Sequence, residues 1–191
     1  MFTAAILAGG QARRLGGIDK SALVVRGASI LDRQLAVLRS VTPHILIVAS
    51  DGHRYQDAGV PVVRDRIRGA GSLGGLYTAL VEAPTEQLVV MACDMPFLTA
   101  PFLDRLAALG EGVDAAIPRD ARGLHPTCAA WARRAAPHLR ERIDGGRLRI
   151  LDALEGLDVR EVDADELARF DADGRLLLNV NTPDDYARAI A

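Results

Sequence analysis

The apolar positions of this 191-residue chain fall into short continuous runs, separated by longer stretches with a helical repeat. The runs at 3–8, 44–50, 60–64, 87–93 and 113–118 are dominated by Ile, Val, Leu and Ala. Runs of that length, apolar on consecutive residues, predict strands buried on both faces. Segments 29–40, 73–83, 100–109 and 132–142 predict helices, and Pro101 suits the first turn of one of them. A further strand is expected at 124–131, and a last helix from Pro183 to Ile190 behind a Thr182 cap. The stretch 144–175 is charged and irregular and is assigned no element. Neither an internal repeat nor a low-complexity tract interrupts the pattern.

Strands alternating with helices predict an α/β fold: one domain over 1–191, with a mostly parallel sheet and helices on both faces. Right-handed crossovers in such a sheet collect the strand-to-helix loops on one edge. Here those loops are 9–20, 65–72 and 94–99, which carry the least ordinary sequence in the chain. Composition narrows the classes. Hydrophobic residues make up 49% and charged residues 25%, as in ordinary globular proteins, and the net charge of −2 supplies no basic field. Nucleic acid is therefore not an expected partner. Cys93 and Cys128 lie in apolar runs and read as core residues of a reducing compartment. No signal peptide is evident, and no run approaches the ~20 apolar residues of a membrane span. The expected location is the cytoplasm, with no membrane partner.

Lys20 is the only lysine; the other 22 of the 23 basic residues are arginines. It closes the loop Gly9-Gly10-Gln11-Ala12-Arg13-Arg14-Leu15-Gly16-Gly17-Ile18-Asp19-Lys20 behind the first strand. A compact ammonium fits a tight phosphate-binding loop where a planar guanidinium does not. The glycines let backbone N–H groups approach a ligand, and Arg13, Arg14 and Lys20 place up to three cations around it. The spacing is not that of a P-loop, because no glycine directly precedes Lys20-Ser21.

Asp94 ends the apolar strand Leu88–Cys93 on the same sheet edge. A lone acid there suits Mg²⁺, which takes one or two carboxylates plus substrate phosphates; the alternative is a turn residue before Pro96. Gly69-Ala70-Gly71-Ser72-Leu73-Gly74 fits a dinucleotide fingerprint and raises an NAD-dependent alternative. Five residues from the strand to the second position of that motif are too many for its tight turn. The glycine run 71–75 reads instead as a close backbone approach to a flat base, through Gly71 and Gly75. His125 is paired with no nucleophilic serine and no metal cluster, and alone reads as structural. Asn181, in Asn179-Val180-Asn181-Thr182-Pro183-Asp184, offers either a metal-binding carbonyl or an Asx turn capping the last helix.

The order of these pieces resembles the molybdenum cofactor guanylyltransferase family of the nucleotidyltransferase superfamily. The matching segments are LAGGQARRLGGIDK at 7–20, Val63-Arg64-Asp65 with the 71–75 glycines, CDMPF at 93–97, LHPTCAAW at 124–131 and LLNVNTPDD at 177–185. The resemblance implies a Rossmann-like fold of the nucleotide-diphospho-sugar transferase kind. It also implies that Leu7, Ala8 and Gly9 bind GTP, with Lys20, Asp65 and Asp94 completing the nucleotide site and Asp94 holding Mg²⁺. The family often carries an asparagine after its second strand to hold the guanine side, but Ile47-Val48-Ala49-Ser50-Asp51 has none, leaving Ser50 or Asp51 as substitutes.

The expected activity is transfer of GMP from GTP to the phosphate of molybdenum-bound molybdopterin. Arg14, Lys20 and Asp94 are the expected catalytic residues, Asp94 and Asn181 the metal ligands, and His125, Asn179 and Asn181 face the acceptor. Expected protein partners are other molybdenum cofactor biosynthesis proteins or acceptor apoenzymes. Alternatives are a molybdenum cofactor cytidylyltransferase, a sugar-phosphate nucleotidyltransferase, or a non-catalytic nucleotide-binding module.

Overall fold

Each of the five apolar runs becomes a strand of one sheet in the computed structural model, which describes residues 1–8 and 20–191. In chain order the elements begin with β1 (Thr3–Leu7), β2 (Val24–Val25), β3 (Ala28–Ser29), α1 (Ile30–Val41), β4 (Ile45–Ala49) and β5 (Val62–Arg64). There follow α2 (Gly71–Glu82), β6 (Gln87–Ala92), α3 (Ala100–Leu109), β7 (Ala115–Asp120), β8 (Gly123–Leu124) and β9 (Cys128–Ala132). The chain continues through α4 (Ala136–Asp144), β10 (Val159–Val162), α5 (Ala164–Ala168) and α6 (Pro183–Ile190). Short 3₁₀ turns occupy Lys20–Ala22 and Gly52–Ala58.

The strand order is β10-β7-β9-β6-β1-β4-β5, with β8 paired to β7. β1 lies between β4 and β6, parallel to both, and β4–β5 and β7–β10 are also parallel. β9 runs antiparallel to β6 and β7. The sheet is thus mostly parallel with one reversed strand inside it. Alternate residues feed two cores. Ala4 and Ile6 of β1 face one side with α1 and α3, while Ala5 and Leu7 face the other with α2 and α4. A strand needed by both cores must be apolar at every position, which is the pattern seen at 3–8. A third, smaller core joins Val25, Ile30, Leu178, Val180 and Ala189, so the β2–β3 hairpin and α6 are packed as one unit.

Two segments differ from the sequence expectation. Within 144–175 the chain forms β10 and α5. β10 is an edge strand carrying Arg160 and Glu161, and it is held from outside: Glu161 pairs with Arg119 of β7, and Arg160 donates to the Leu109 carbonyl at 2.9 Å. Its own apolar content is too small to announce it. The expected strand 124–131 divides into β8 and β9 around a turn at 125–127, closed by Cys128 N–H donating to the His125 carbonyl at 2.9 Å. Pro126 has no N–H to give a ladder there.

Gly110, behind α3, shows how tightly helix and sheet meet. A Cβ at this position would lie 2.7 Å from Ala130 Cβ and 2.8 Å from Gln87 Nε2. Gly110→Ala is expected to cost about 1–3 kcal/mol by overpacking. In a chain of this size that lowers the melting temperature by about 2–4 °C per kcal/mol. An unchanged melting curve would mean that the α3–β9 contact gives way freely.

Candidate active site

The chain leaves β1 through α1 towards β4 on one side, whereas β6 sits on the other. The ends of β1 and β6 therefore border a topological switch point, where open α/β sheets form their ligand crevice. A cleft of about 220 Å³ opens there. Its floor is Leu7 and Ala8 after β1, Val48 to Ser50 at the end of β4, and Ala92 to Asp94 after β6. Gly71, Ser72 and Gly75 of α2 line one wall, and Lys20, Tyr55 and Arg54 another.

Asp94 is buried at the strand end and surrounded by partners. Its Oδ2 accepts from Lys20 Nζ at 3.1 Å and its Oδ1 from Asn179 Nδ2 at 2.9 Å, while its carbonyl accepts from Val180 N–H at 2.9 Å. Lys20 Nζ also donates to Asn181 Oδ1 at 2.5 Å. The Lys20 and Asp94 side chains are only 22% and 10% exposed, so this pair is partly dehydrated and worth more than a surface ion pair. Lys20 is held by the turn at 20–22, whose Ser21 is buried and donates to Tyr55 Oη at 3.4 Å. Asn181 is held by the start of α6. Asp185 Oδ2 accepts from the N–H groups of Asn181 and Thr182, and Thr182 Oγ1 accepts from Asp185 N–H. That reciprocal cap orients the 179–181 segment towards Asp94. Burial would raise the Asp185 carboxyl, but these bonds hold it below the usual carboxylate range.

The loop after β6 is pinned from below. Gln34 of α1 is buried, and its Nε2 donates to the Ala92 carbonyl at 2.8 Å and the Met95 carbonyl at 3.1 Å. Arg33 Nε donates to the Pro96 carbonyl at 3.1 Å. Phe97 lies under Arg26 and Arg175, whose guanidinium carbons are 5.4 and 4.7 Å from the ring centroid. The sequence reading passed over Gln34. The available signal was an amide at a position that the Ile30, Leu35, Leu38 spacing assigns to the core.

The remaining expected residues divide. Leu7 and Ala8 lie at the cleft, and Gly9 and Arg14 lie outside the described residues. Asp65 lines the cleft, yet its Oδ1 also accepts from Thr78 Oγ1 at 3.0 Å and Ile67 N–H at 3.1 Å, which shapes the 65–70 loop. Gly71 has φ of +60° and opens α2, whose first turn has no side-chain cap. Gly74 and Gly75 are both inside α2 but serve different ends. A Cβ on Gly74 would meet Ala70 Cβ at 2.8 Å, the Ile67 carbonyl at 3.1 Å and Asp65 Oδ1 at 3.5 Å, whereas one on Gly75 meets only Leu7, at 3.6 Å. His125 sits apart from Lys20 and Asp94: its Nε2 is 2.9 Å from Asp120 Oδ1, without the alignment of a hydrogen bond. Burial would raise the Asp120 carboxyl, but Arg122 and His125 bring it to about 2. Arg122 then reaches the Leu177 carbonyl at 2.9 Å, tying this cluster to the segment that carries Asn179. Thr127, two residues on from His125, does line the cleft.

Among the described residues no group of three or more His, Cys, Asp or Glu could hold a metal. What the site offers is one carboxylate and one amide oxygen converging on a single cation, the Lys20 ammonium. Two hard oxygens, completed by substrate phosphates, fit Mg²⁺ better than a soft ion.

Comparison with known proteins agrees with this geometry. The MobA-like NTP transferase domain family matches residues 4–159. A molybdenum cofactor guanylyltransferase from Mesorhizobium japonicum is 36% identical, over 96% of this chain and 92% of its own. One from Desulfosudis oleivorans is 30% identical over 99% and 94%. The crystal structure of molybdopterin-guanine dinucleotide biosynthesis protein A from Archaeoglobus fulgidus superposes with a TM-score of 0.87 at 31% identity, covering 99% of this chain and 97% of that one. A 2-C-methyl-D-erythritol 4-phosphate cytidylyltransferase from Thermus thermophilus, at 16% identity and a TM-score of 0.70, shares the fold. No described helix is long and apolar enough to cross a membrane. With a switch-point cleft, a lysine-carboxylate pair at its floor and relatives matched over nearly their full length, the chain belongs to the MobA-like NTP transferase family, beside the molybdenum cofactor guanylyltransferases.

Proposed function

We propose that this chain transfers GMP from GTP to the terminal phosphate of molybdenum-bound molybdopterin, with Mg²⁺ as cofactor. The observation that carries the reading is the convergence of Lys20, Asn179 and Asn181 around the Asp94 carboxylate at the floor of the cleft. Support comes from the names of relatives matched over nearly their whole length.

An oxygen of the acceptor phosphate attacks the α-phosphorus of GTP. The bond from that phosphorus to the α–β bridging oxygen breaks, and pyrophosphate leaves with the electron pair. No covalent enzyme intermediate is required, so the protein contributes positioning and charge. Gly71 and Gly75 leave room for the purine against α2, and Ser50 at the end of β4 lines the same cleft. Lys20 takes up charge on the triphosphate oxygens. Asp94 and Asn181 would hold the metal, which would supply Lewis-acid charge to those oxygens. Asn179 keeps the Asp94 carboxylate turned to the cleft. Asp120 and Arg122 would place His125 on the acceptor side.

The decisive assay is Mg²⁺-dependent pyrophosphate release with molybdenum-bound molybdopterin and each of GTP, CTP, ATP and UTP. GTP is expected to dominate; a preference for CTP would transfer the reading to the cytidylyl class. Nucleotide binding without release from any pair would leave a binding module. NAD binding without GTP binding, read by calorimetry, would overturn the transferase reading altogether.

Lys20→Ala is expected to reduce turnover by about 10²–10³, the scale of one lost charge-stabilising donor, and also to lower the melting temperature, because Asp94 is left without its cation. Lys20→Arg should recover little of this, because a fork does not replace a point charge. Near-native turnover in the arginine variant would remove Lys20 from the chemistry.

The two α2 glycines should separate binding from stability. Gly75→Val projects methyl groups into the cleft and should raise the KM for GTP far more than that for the acceptor. Gly74→Ala overlaps Ala70 and should instead act mainly by lowering the melting temperature, with a smaller effect on KM than Gly75→Val. The reverse pattern would place the base elsewhere.

A further inference from the structure

The Lys20 ammonium occupies the space between Asp94 Oδ2 and Asn181 Oδ1, the two oxygens assigned above to the metal. The other Asp94 oxygen is already engaged by Asn179, at 2.9 Å. A free divalent ion therefore meets no open pair of ligands. To bind it must displace an ammonium from two hydrogen bonds, one of them short, in a partly dehydrated site, and two cations cannot share both oxygens at these distances without strong repulsion.

We propose that Lys20 is the resident cation of this site and that the site takes a metal–nucleotide complex in place of a free metal ion. The inference rests on the transferase reading for the identity of the nucleotide, but not for the exclusion of the free ion. A triphosphate offers the ammonium new acceptors. Lysine suits such an exchange because its charge is a single point on a flexible stem of four carbons, whereas an arginine fork would be fixed by its planar geometry. Once Lys20 turns to the phosphates, Asp94 and Asn181 are released together, and the phosphate oxygens complete the coordination of the incoming ion. The fixed backbone of Asn181, held by Asp185, means that the side chain of Lys20 is the part that moves. The coupling is reciprocal: nucleotide improves metal affinity by the same factor by which metal improves nucleotide affinity.

The test uses Mn²⁺ alone, read by electron paramagnetic resonance, on the full chain without nucleotide. Lys20→Met should bind Mn²⁺ at least about tenfold more tightly than the unmodified protein, since a competing charge is gone. The double variant Lys20→Met with Asp94→Asn should lose that gain. Equal affinity in the unmodified and Lys20→Met proteins would overturn the proposal, as would a double variant that binds like the single one. A second measurement needs no variant. Because Lys20 is the only lysine, isotope-labelled lysine gives a single side-chain signal for this residue. Mg²⁺ alone should leave that signal in place, and Mg²⁺ with GTP should move it. Movement by Mg²⁺ alone at the same concentrations would overturn the proposal. Metal exclusion without pyrophosphate release would leave this inference standing and remove the assigned reaction.

Discussion

An acid buried at the end of a strand has to be answered, and the answer given to Asp94 organises the molecule. Its carboxylate and carbonyl together draw in Lys20 from the front of the chain and Asn179 and Val180 from the back. Removing one partner leaves a charge or a lone pair without compensation in a site of low dielectric constant, which costs more than the pair itself is worth. The supports beneath it follow the same logic. Gln34 and Arg33 spend their hydrogen bonds on the carbonyls of the loop, so the acid is presented from a fixed backbone.

Topology explains why these pieces can meet. With β1 in the centre and β6 and β4 on either side, the segments following these strands open on one crevice. The reversed strand β9 brings Thr127 to the same crevice. Phosphate chemistry asks for positive charge on one side of the ligand and a metal-binding oxygen set on the other. Among the described residues, the Lys20 ammonium and the Asp94 and Asn181 oxygens come from elements far apart in the chain and meet in direct contact.

Where a residue's role is set by its own neighbours in sequence, the sequence was sufficient. The central strands had to be apolar at each position because both faces are covered, and the Thr182 cap of α6 is a local motif. Lys20 stood out as the sole lysine, and the order of the glycine loop, Asp94 and the two asparagines carried the family resemblance. What escaped was set by partners distant in sequence. β10 depends on β7, and nothing local distinguishes Gly74, which packs on Ala70, from Gly75, which faces the cleft. Gln34 gained its meaning only when α1 was laid under the β6 loop. That Lys20 and Asp94 touch, and that Asn181 shares the same ammonium, is a three-body fact that spacing along the chain does not encode.

The small third core has a consequence for how the protein becomes active during synthesis. Val25 and Ile30 close this core only with Leu178, Val180 and Ala189, which are synthesised long after them. The central strands and their helices are complete long before. A nascent chain can thus hold its sheet while Asp94 still lacks Asn179 and Val180, and the cleft has a floor but an unfinished rim. The segment from Leu178 to Ala189 is the clasp that finishes that rim.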